Sequence, residues 1–311
     1  MGKMYENYKS PTVSDGTWGI EVENLTVRFG NFVAVKNLSF KVRKGEILGI
    51  VGSNGAGKTT TVKAILGLVK HEGEVKVLSK PLNEVKSRIG YVPQTFSLYR
   101  SLTVEENLMF FGRIYSVDER NLEIGMSKLL RFVELEKWRK TTVAELSADM
   151  KQRLMVACSM LHDPDILILD EPTAGIDPIS RKNFWEGFKA LRDEGKAILI
   201  TTHHMEDAEN CDRIIIMKNG EKVIEGSLED IRKVVGERVL IKPFNIDKAV
   251  KLFDEFGFHY SVENDWIEVY VDDSSSAMPE IISALKRRGI EIEKAKTKIE
   301  GLESAIIDLS R

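Results

Sequence analysis

Residues 47–60 read ILGIVGSNGAGKTT, and this stretch decides the fold. The apolar run 47–51 has the composition of a strand buried on both faces, and it leads directly into a turn that satisfies G-x-x-x-x-G-K-S/T. Phosphate oxygens need several converging N–H donors. Glycines at 52, 55 and 57 let the backbone wrap closely, and the helix predicted over residues 57–68 presents its positive end to the same point. The expected phosphate contacts are Gly52, Ser53, Asn54, Gly55, Ala56, Gly57, Lys58, Thr59 and Thr60, with Lys58 bridging the β and γ phosphates and Thr59 ligating Mg²⁺.

A second stretch answers the first. Residues 166–172, ILILDEP, place two carboxylates at the end of another buried apolar run, where open α/β sheets present their ligand crevice. Asp170 is placed to orient Mg²⁺, and Glu171 to polarise the attacking water as a general base. An acidic strand-to-loop transition alone would be unremarkable chemistry, but paired with the glycine loop it points to Mg²⁺-dependent nucleotide hydrolysis.

Outward from these two anchors, alternating apolar and polar residues at 20–29 and 34–43 predict half-buried antiparallel strands. Continuous apolar strands follow at 166–169, 197–200 and 213–217, separated by helical stretches at 180–193 and 204–211, the pattern of a parallel α/β sheet. Between them, residues 96–163 are nearly all helical, with Leu102, Leu108, Phe110, Phe111, Ile114, Leu129, Leu130 and Phe132 at helical spacings. A helix at 228–235 leads into strand 238–242, helix 246–256, strands 258–262 and 266–271, helix 277–288 and strand 290–297, which is the βαββαβ order of ferredoxin-like domains. The run from Asp272 to Ser276 reads as a turn within it, and a last helix is expected at 301–310. The fold class is therefore a P-loop NTPase cassette with an antiparallel β subdomain and an inserted helical subdomain, followed by a small α+β domain. The expected domains are a loose tail over 1–17, the cassette over 18–236 and an accessory domain over 237–311.

At 311 residues, with 42% hydrophobic and 30% charged, the chain is long enough for about two domains that fold by burial. Its apolar runs fall far short of a membrane span. Forty-five basic against 48 acidic residues leave no basic field to collect nucleic acid. Cys158 and Cys211, each in a segment read as helix and without metal spacing, are expected to be reduced core thiols. The N-terminal residues lack the core of an export signal, so cytoplasmic residence is expected.

The ordered set of 52–60, YVPQ at 91–94, LSADMKQR at 146–153, ILILDEP at 166–172, AGID at 174–177 and TTHH at 201–204 resembles the ABC-type ATPase domains over about residues 20–226. The resemblance implies that Phe29 stacks on adenine, that Gln94 touches Mg²⁺ or water and relays contact with a membrane subunit, and that His203 contacts the γ-phosphate. It implies that Ser147, from an opposite subunit, closes over that phosphate, and that Asp177 communicates across the dimer. Asp177 also reads as the N-cap of a helix starting at Pro178. A single cassette, with 89 positions between Lys58 and Ser147, is similar to transporter ATP-binding subunits rather than to coiled-coil DNA-maintenance members. GMSKLL, TTHHMEDAE and GLESAIIDLS resemble the ABC-2 export type, including drug-resistance and sodium-export members. The implied partners are a membrane permease on a separate chain and a second cassette, as homo- or heterodimer, with the subunit peripheral on the inner membrane face.

The departure is at 146–150, where LSADM replaces the family's LSGG. Asp149 puts a carboxylate where a phosphate is to approach, and at ~5 Å with an effective dielectric near ~20 each pair of unit charges repels by about 3 kcal/mol. The alternative to a working ATPase is therefore a degenerate regulatory cassette that binds ATP and hydrolyses little. If the carboxylate is unopposed, Asp149→Gly should accelerate ATP turnover by the purified chain.

Overall fold

The computed structural model describes residues 18–235, 237–271 and 273–298. The expected tail and the helix at 301–310, with its GLESAIIDLS sequence, lie outside the described residues. Contacts divide the chain into two units after Gly226, ahead of the sequence boundary at 236.

The first unit opens with β1 (Trp18–Phe29), β2 (Phe32–Arg43) and β3 (Glu46–Val51), then α1 (Lys58–Ile65), β4 (Glu72–Val77) and β5 (Ile89–Val92). Three helices follow, α2 (Val104–Ile114), α3 (Glu119–Phe132) and α4 (Ala148–Met160). The chain returns through β6 (Ile166–Asp170), α5 (Pro178–Asp193), β7 (Ala197–Thr202), α6 (Met205–Ala208), β8 (Arg213–Lys218) and β9 (Glu221–Gly226). Two sheets result, one antiparallel in the order β2-β1-β4 and one of six strands in the order β5-β6-β7-β3-β8-β9. In the second sheet β5, β6, β7, β3 and β8 run parallel, and β9 closes the edge antiparallel to β8.

Strand β3 is buried along its whole length, as its apolar composition requires of a strand flanked on both sides. The apolar face of α1, with Val62, Ala64 and Ile65, shares one core with Ile20, Val22, Val35 and Leu38 of the antiparallel sheet and with Leu48, Ile50, Ile168 and Leu199 of the parallel one. The helix that follows the glycine loop is thus held between two sheets. Helices α2 to α4 form the insertion between β5 and β6, and α2 is fixed at its start by a capping box between Thr103 and Glu106.

Several local readings are corrected. Helix α1 ends at Ile65 rather than near residue 68, with Gly67 in a left-handed conformation just beyond. Helix α6 is a single turn, so Cys211 lies after it and not in a helix, although both cysteines are buried, free and pushed up in pKa by desolvation. Strands β4, β5 and β9 were not expected; β4 (EGEVKV) and β9 (EKVIEG) carry Glu and Lys at their exposed positions rather than an alternating apolar pattern, and β5 (IGYV) is only four residues long.

The second unit contains α7 (Leu228–Val235), β10 (Glu237–Pro243), α8 (Ile246–Phe256), β11 (Tyr260–Glu263), β12 (Trp266–Val271), α9 (Ser274–Arg287) and β13 (Ile292–Lys298). Its sheet is antiparallel in the order β11-β12-β10-β13. Val239 and Ile241 of β10 and Ile267 and Val269 of β12 face Leu252 and Phe253 of α8 and Ile281 and Leu285 of α9. Residues 274–276 are the first turn of α9, N-capped by the Asp273 side chain, rather than a connecting turn. No helix among the described residues is long and apolar enough to cross a membrane.

Gly57 enters α1 at φ 102°, and a Cβ built there would stand 2.6 Å from the Ala34 carbonyl oxygen. Gly57→Ala therefore combines a forbidden backbone conformation with a clash against backbone, and we expect a loss of about 2 kcal/mol or more, read as a lower thermal midpoint.

Candidate functional site

The strand order places the loops after β5, β6, β7 and β3 side by side at the carboxyl ends of the parallel strands. At these ends lie Gln94 after β5, Asp170 and Glu171 at and just beyond the end of β6, His203 after β7, and Lys58 and Thr59 at the start of α1 after the β3 loop. These residues, scattered over 146 positions, meet.

Asp170 is fully buried. Its Oδ1 accepts from the Thr59 hydroxyl at 3.2 Å and from the Thr201 hydroxyl. Burial pushes its carboxyl above the usual range; the two hydroxyls oppose this and the neighbouring Glu171 charge adds to it. Its Oδ2 is buried with no hydrogen-bond partner. An anionic oxygen with free lone pairs beside a threonine hydroxyl is the donor set a hard divalent cation takes, so the residues present fit Mg²⁺.

Glu171 draws three side chains to itself. Lys58 Nζ lies 3.5 Å and His203 Nδ1 3.2 Å from Oε1, while Gln94 Nε2 donates to Oε2 at 3.1 Å. Burial alone would raise its pKa, but the contact with His203 and the charge of Lys58 outweigh it, and the carboxyl is held below its ordinary value. The stability linked to this ionised form is present above the unfolded carboxyl pKa and is lost as pH falls through the folded one. Its backbone sits at φ 52°, a left-handed conformation costly for a residue with a Cβ, and its N–H is fixed by both the carbonyl and the hydroxyl of Thr201, each at 3.1 Å.

In the glycine loop, Lys58 is buried and donates to the carbonyls of Gly52 at 2.9 Å and Ser53 at 3.2 Å. Ser53, Asn54 and Gly55 form its exposed tip, Ala56 is buried, and Thr59 and Thr60 are half-buried in the first turn of α1. Gly52 has no room for a side chain, since a Cβ would approach the Met217 carbonyl oxygen to 2.4 Å.

Phe29 and Ser147 stand apart from this cluster: among the described residues no hydrogen bond joins either to it. Phe29 ends β1 and is 52% exposed, opposite Phe32 across the hairpin. Ser147 caps α4, its Oγ accepting from the Met150 N–H at 3.2 Å. Asp177 caps α5 through the N–H groups of Ile179 and Ser180. Asp149 is not an unopposed carboxylate, because Arg153 Nε donates to its Oδ2 at 2.9 Å. The repulsion inferred from sequence omitted that counter-charge.

The sequence reading also missed what holds the site. Thr201 and Thr202, adjacent on β7, point to opposite sides: Thr201 serves Asp170 and the Glu171 N–H, and Thr202 donates to Asp207 at 2.9 Å. Fully buried Asp207 also accepts from Thr173 at 2.6 Å and Trp185 Nε1 at 2.8 Å. Both threonines were within TTHH, and the period of a strand was the available signal. Tyr91, half-buried near Asp170, has its phenol pushed up to about 12, chiefly by burial.

A sequence profile described as ABC transporter matches residues 35–174. The Nod factor export ATP-binding protein I of Burkholderia lata is 40% identical over 264 residues, covering 82% of this chain and 86% of its own length. The chain belongs to the ABC transporter family. It is also 41% identical to the probable multidrug ABC transporter ATP-binding protein YbhF of Escherichia coli, covering 70% of this chain, but it spans only 39% of that protein's length. The homologous Nod factor export protein of Sinorhizobium fredii is 44% identical across 67% of this chain and 62% of its own. Among solved structures, an ATP-binding subunit of an ABC transporter superposes with a TM-score of 0.64 at 33% identity, covering 68% of this chain and 91% of that one. A dimeric post-hydrolysis cassette bound to ADP and Pi gives 0.62 at 27% identity, covering 67% and 98%. The fold of the first unit is that of an ABC cassette, a P-loop fold whose family binds ATP.

Because burial raises the Asp170 pKa, the cassette without metal gains stability as pH falls through the folded value towards the unfolded one, where the gain is complete. Asp170→Asn should therefore keep a thermal midpoint at neutral pH equal to or above the parent's while losing the rise produced by Mg²⁺ with ATP; thermal denaturation with and without Mg²⁺ reads both.

Proposed function

We propose that this chain is the ATP-binding and hydrolysing subunit of a transporter, probing no substrate itself and driving a permease carried on a separate polypeptide, in the export direction. The observation that carries the reading is the convergence of Lys58, Gln94 and His203 on Glu171 next to the Thr59–Asp170 pair. Support for export comes from the similarity to proteins named for multidrug and Nod factor export.

The three groups now holding Glu171 are those that a γ-phosphate and its attacking water would engage. An incoming ATP competes for Lys58, which turns from Glu171 and the loop carbonyls to phosphate oxygens. Glu171 loses a cation and its proton affinity rises, in step with the arrival of the water it must deprotonate. The water oxygen then bonds to the γ phosphorus as the bond to the leaving ADP oxygen breaks, and Glu171 keeps the proton. Bound Mg²⁺ would draw charge from the phosphate oxygens, held by Thr59 and Asp170 with Gln94 nearby. His203, fixed at a strand end, steadies the water and phosphate. Phe29 offers its exposed ring to adenine.

Ser147 lies outside this cluster, which suits closure by a second cassette carrying its own Ser147 over the phosphate. ATP-driven closure of two such cassettes on the inner membrane face would move the permease, and hydrolysis would reset it. The second unit we read as a ferredoxin-like accessory domain, on the support of its βαββαβ order and its β11-β12-β10-β13 sheet. The sequence limit, cassette to about 236 and accessory domain beyond, leaves α7 with the cassette, whereas the contacts group it with the second unit, so we place the limit after Gly226. The second reading, a regulatory cassette of low turnover, rests on the loss of both signature glycines and on Asp149 acting as an unopposed charge, which its pairing with Arg153 counters.

Mg²⁺-ATP hydrolysis by the purified chain, measured across protein concentration with Glu171→Gln as blank, separates the two. We expect turnover that rises faster than linearly with protein and a loss of at least about a hundredfold in Glu171→Gln with ATP binding retained. Tight ATP binding without turnover would favour the regulatory reading.

A further inference from the structure

The signature segment 146–150 is where this chain leaves its family's pattern, and its surroundings bear directly on whether it works. Arg153 lies one helical turn beyond Asp149, the spacing at which side chains on α4 meet. Two N–H groups of its guanidinium converge on Asp149 Oδ2, Nε at 2.9 Å and Nη2 at 2.5 Å. The third contact, Nη1 to Glu134 Oε2 at 3.1 Å, anchors the guanidinium from α3's C-terminal side, and Glu134 Oε1 in turn accepts from Asn183 of α5 at 2.9 Å. The Asp149 and Arg153 side chains are only 18% and 15% exposed, so solvent screens their attraction less than it would at the open surface. Asp149 is thus drawn along the helix towards Arg153, while the Ser147 hydroxyl stays at the cap.

We propose that Arg153 is a positioning residue that makes the LSADM signature serviceable. By pairing with Asp149 it removes the repulsion between that carboxylate and a γ-phosphate carried by a second cassette, and it leaves Ser147 and the start of α4 to meet the anion. This rests on the reading of the chain as an ATP-hydrolysing cassette that dimerises. An unpaired carboxylate at ~5 Å would weaken closure by roughly a hundredfold, so the pair decides between a functional and a silent signature.

The test is a charge cycle on the full chain: Arg153→Gln, Arg153→Lys, Asp149→Asn and the double variant Asp149→Asn/Arg153→Gln. ATP-dependent dimerisation is followed by sedimentation in a Glu171→Gln background, turnover with Glu171 intact, and the thermal midpoint for each protein. Arg153→Gln should weaken ATP-driven dimerisation by about tenfold or more and lower turnover in parallel, and Arg153→Lys should recover part of it. Asp149→Asn should stay within about threefold of the parent, and the double variant should return to that range while its thermal midpoint stays as low as that of Arg153→Gln. A pair that merely stabilises the helix predicts the opposite, activity that follows the thermal midpoint. Parent-like dimerisation in Arg153→Gln, or a double variant as impaired as Arg153→Gln, would overturn the proposal. A parent chain that binds ATP but neither dimerises nor hydrolyses it would instead overturn the reading beneath it, whatever Arg153 does.

Discussion

A carboxylate buried at the end of a strand has to be matched by donors, and β6 ends in two of them. Asp170 and Glu171 together would be intolerable in an apolar interior. Their demand is divided: Asp170 takes neutral hydroxyls from Thr59 and Thr201, and Glu171 takes the charge of Lys58 with Gln94 and His203. The division follows from geometry, since successive residues of an extended chain face opposite ways, and the left-handed turn at Glu171 completes the separation. It also separates their protonation behaviour, with one carboxyl raised and its neighbour lowered. Such a pair, its members pushed apart by environment, suits one residue to a cation and the other to a proton.

The sheet order makes this matching possible. Only because β6 lies between β5 and β7, with β3 next in line, do four loops distant in sequence end within hydrogen-bond reach of one another. Strand β3 must therefore be buried on both faces, and α1 must sit between two sheets, for the glycine loop to be held rigidly against the carboxylates. The positive φ at Glu171 is a cost of about 1–3 kcal/mol that persists because the two Thr201 acceptors fix the amide from the adjoining strand.

Most of this was legible where the sequence constrains chemistry and backbone together. The glycine loop, the DE pair and the buried apolar strands each allow few alternatives, and the structure brings Lys58, Thr59, Gln94, Asp170, Glu171 and His203 together. The edge strands were not legible, because β4 runs EGEVKV with most of its residues exposed or half-buried, and its pairing with β1 is set by the partner strand rather than by its own periodicity. Thr201 reaches Asp170 only through the pairing of β7 with β6, and Arg153 reaches Asp149 only through the helical turn between them. The Asp149–Arg153 spacing was nonetheless present in the sequence and needed only the assumption of a helix to be read as a pair.

The same β7 terminus links the cation side of the site to its far side. Thr201 turns inward to Asp170, and Thr202, on the reverse face, turns to Asp207, which also holds Thr173 and Trp185. Thr173 lies two residues after Glu171 and Thr202 one residue before His203, so Asp207 ties the segment bearing the base to the segment bearing the histidine. A buried carboxylate with three donors tolerates little movement of any of them, since each lost hydrogen bond leaves charge unmatched. The distance between Glu171 and His203 is thereby set from beneath by a group that touches neither, and a displacement of α5, through Trp185, would reach both segments through that one acceptor.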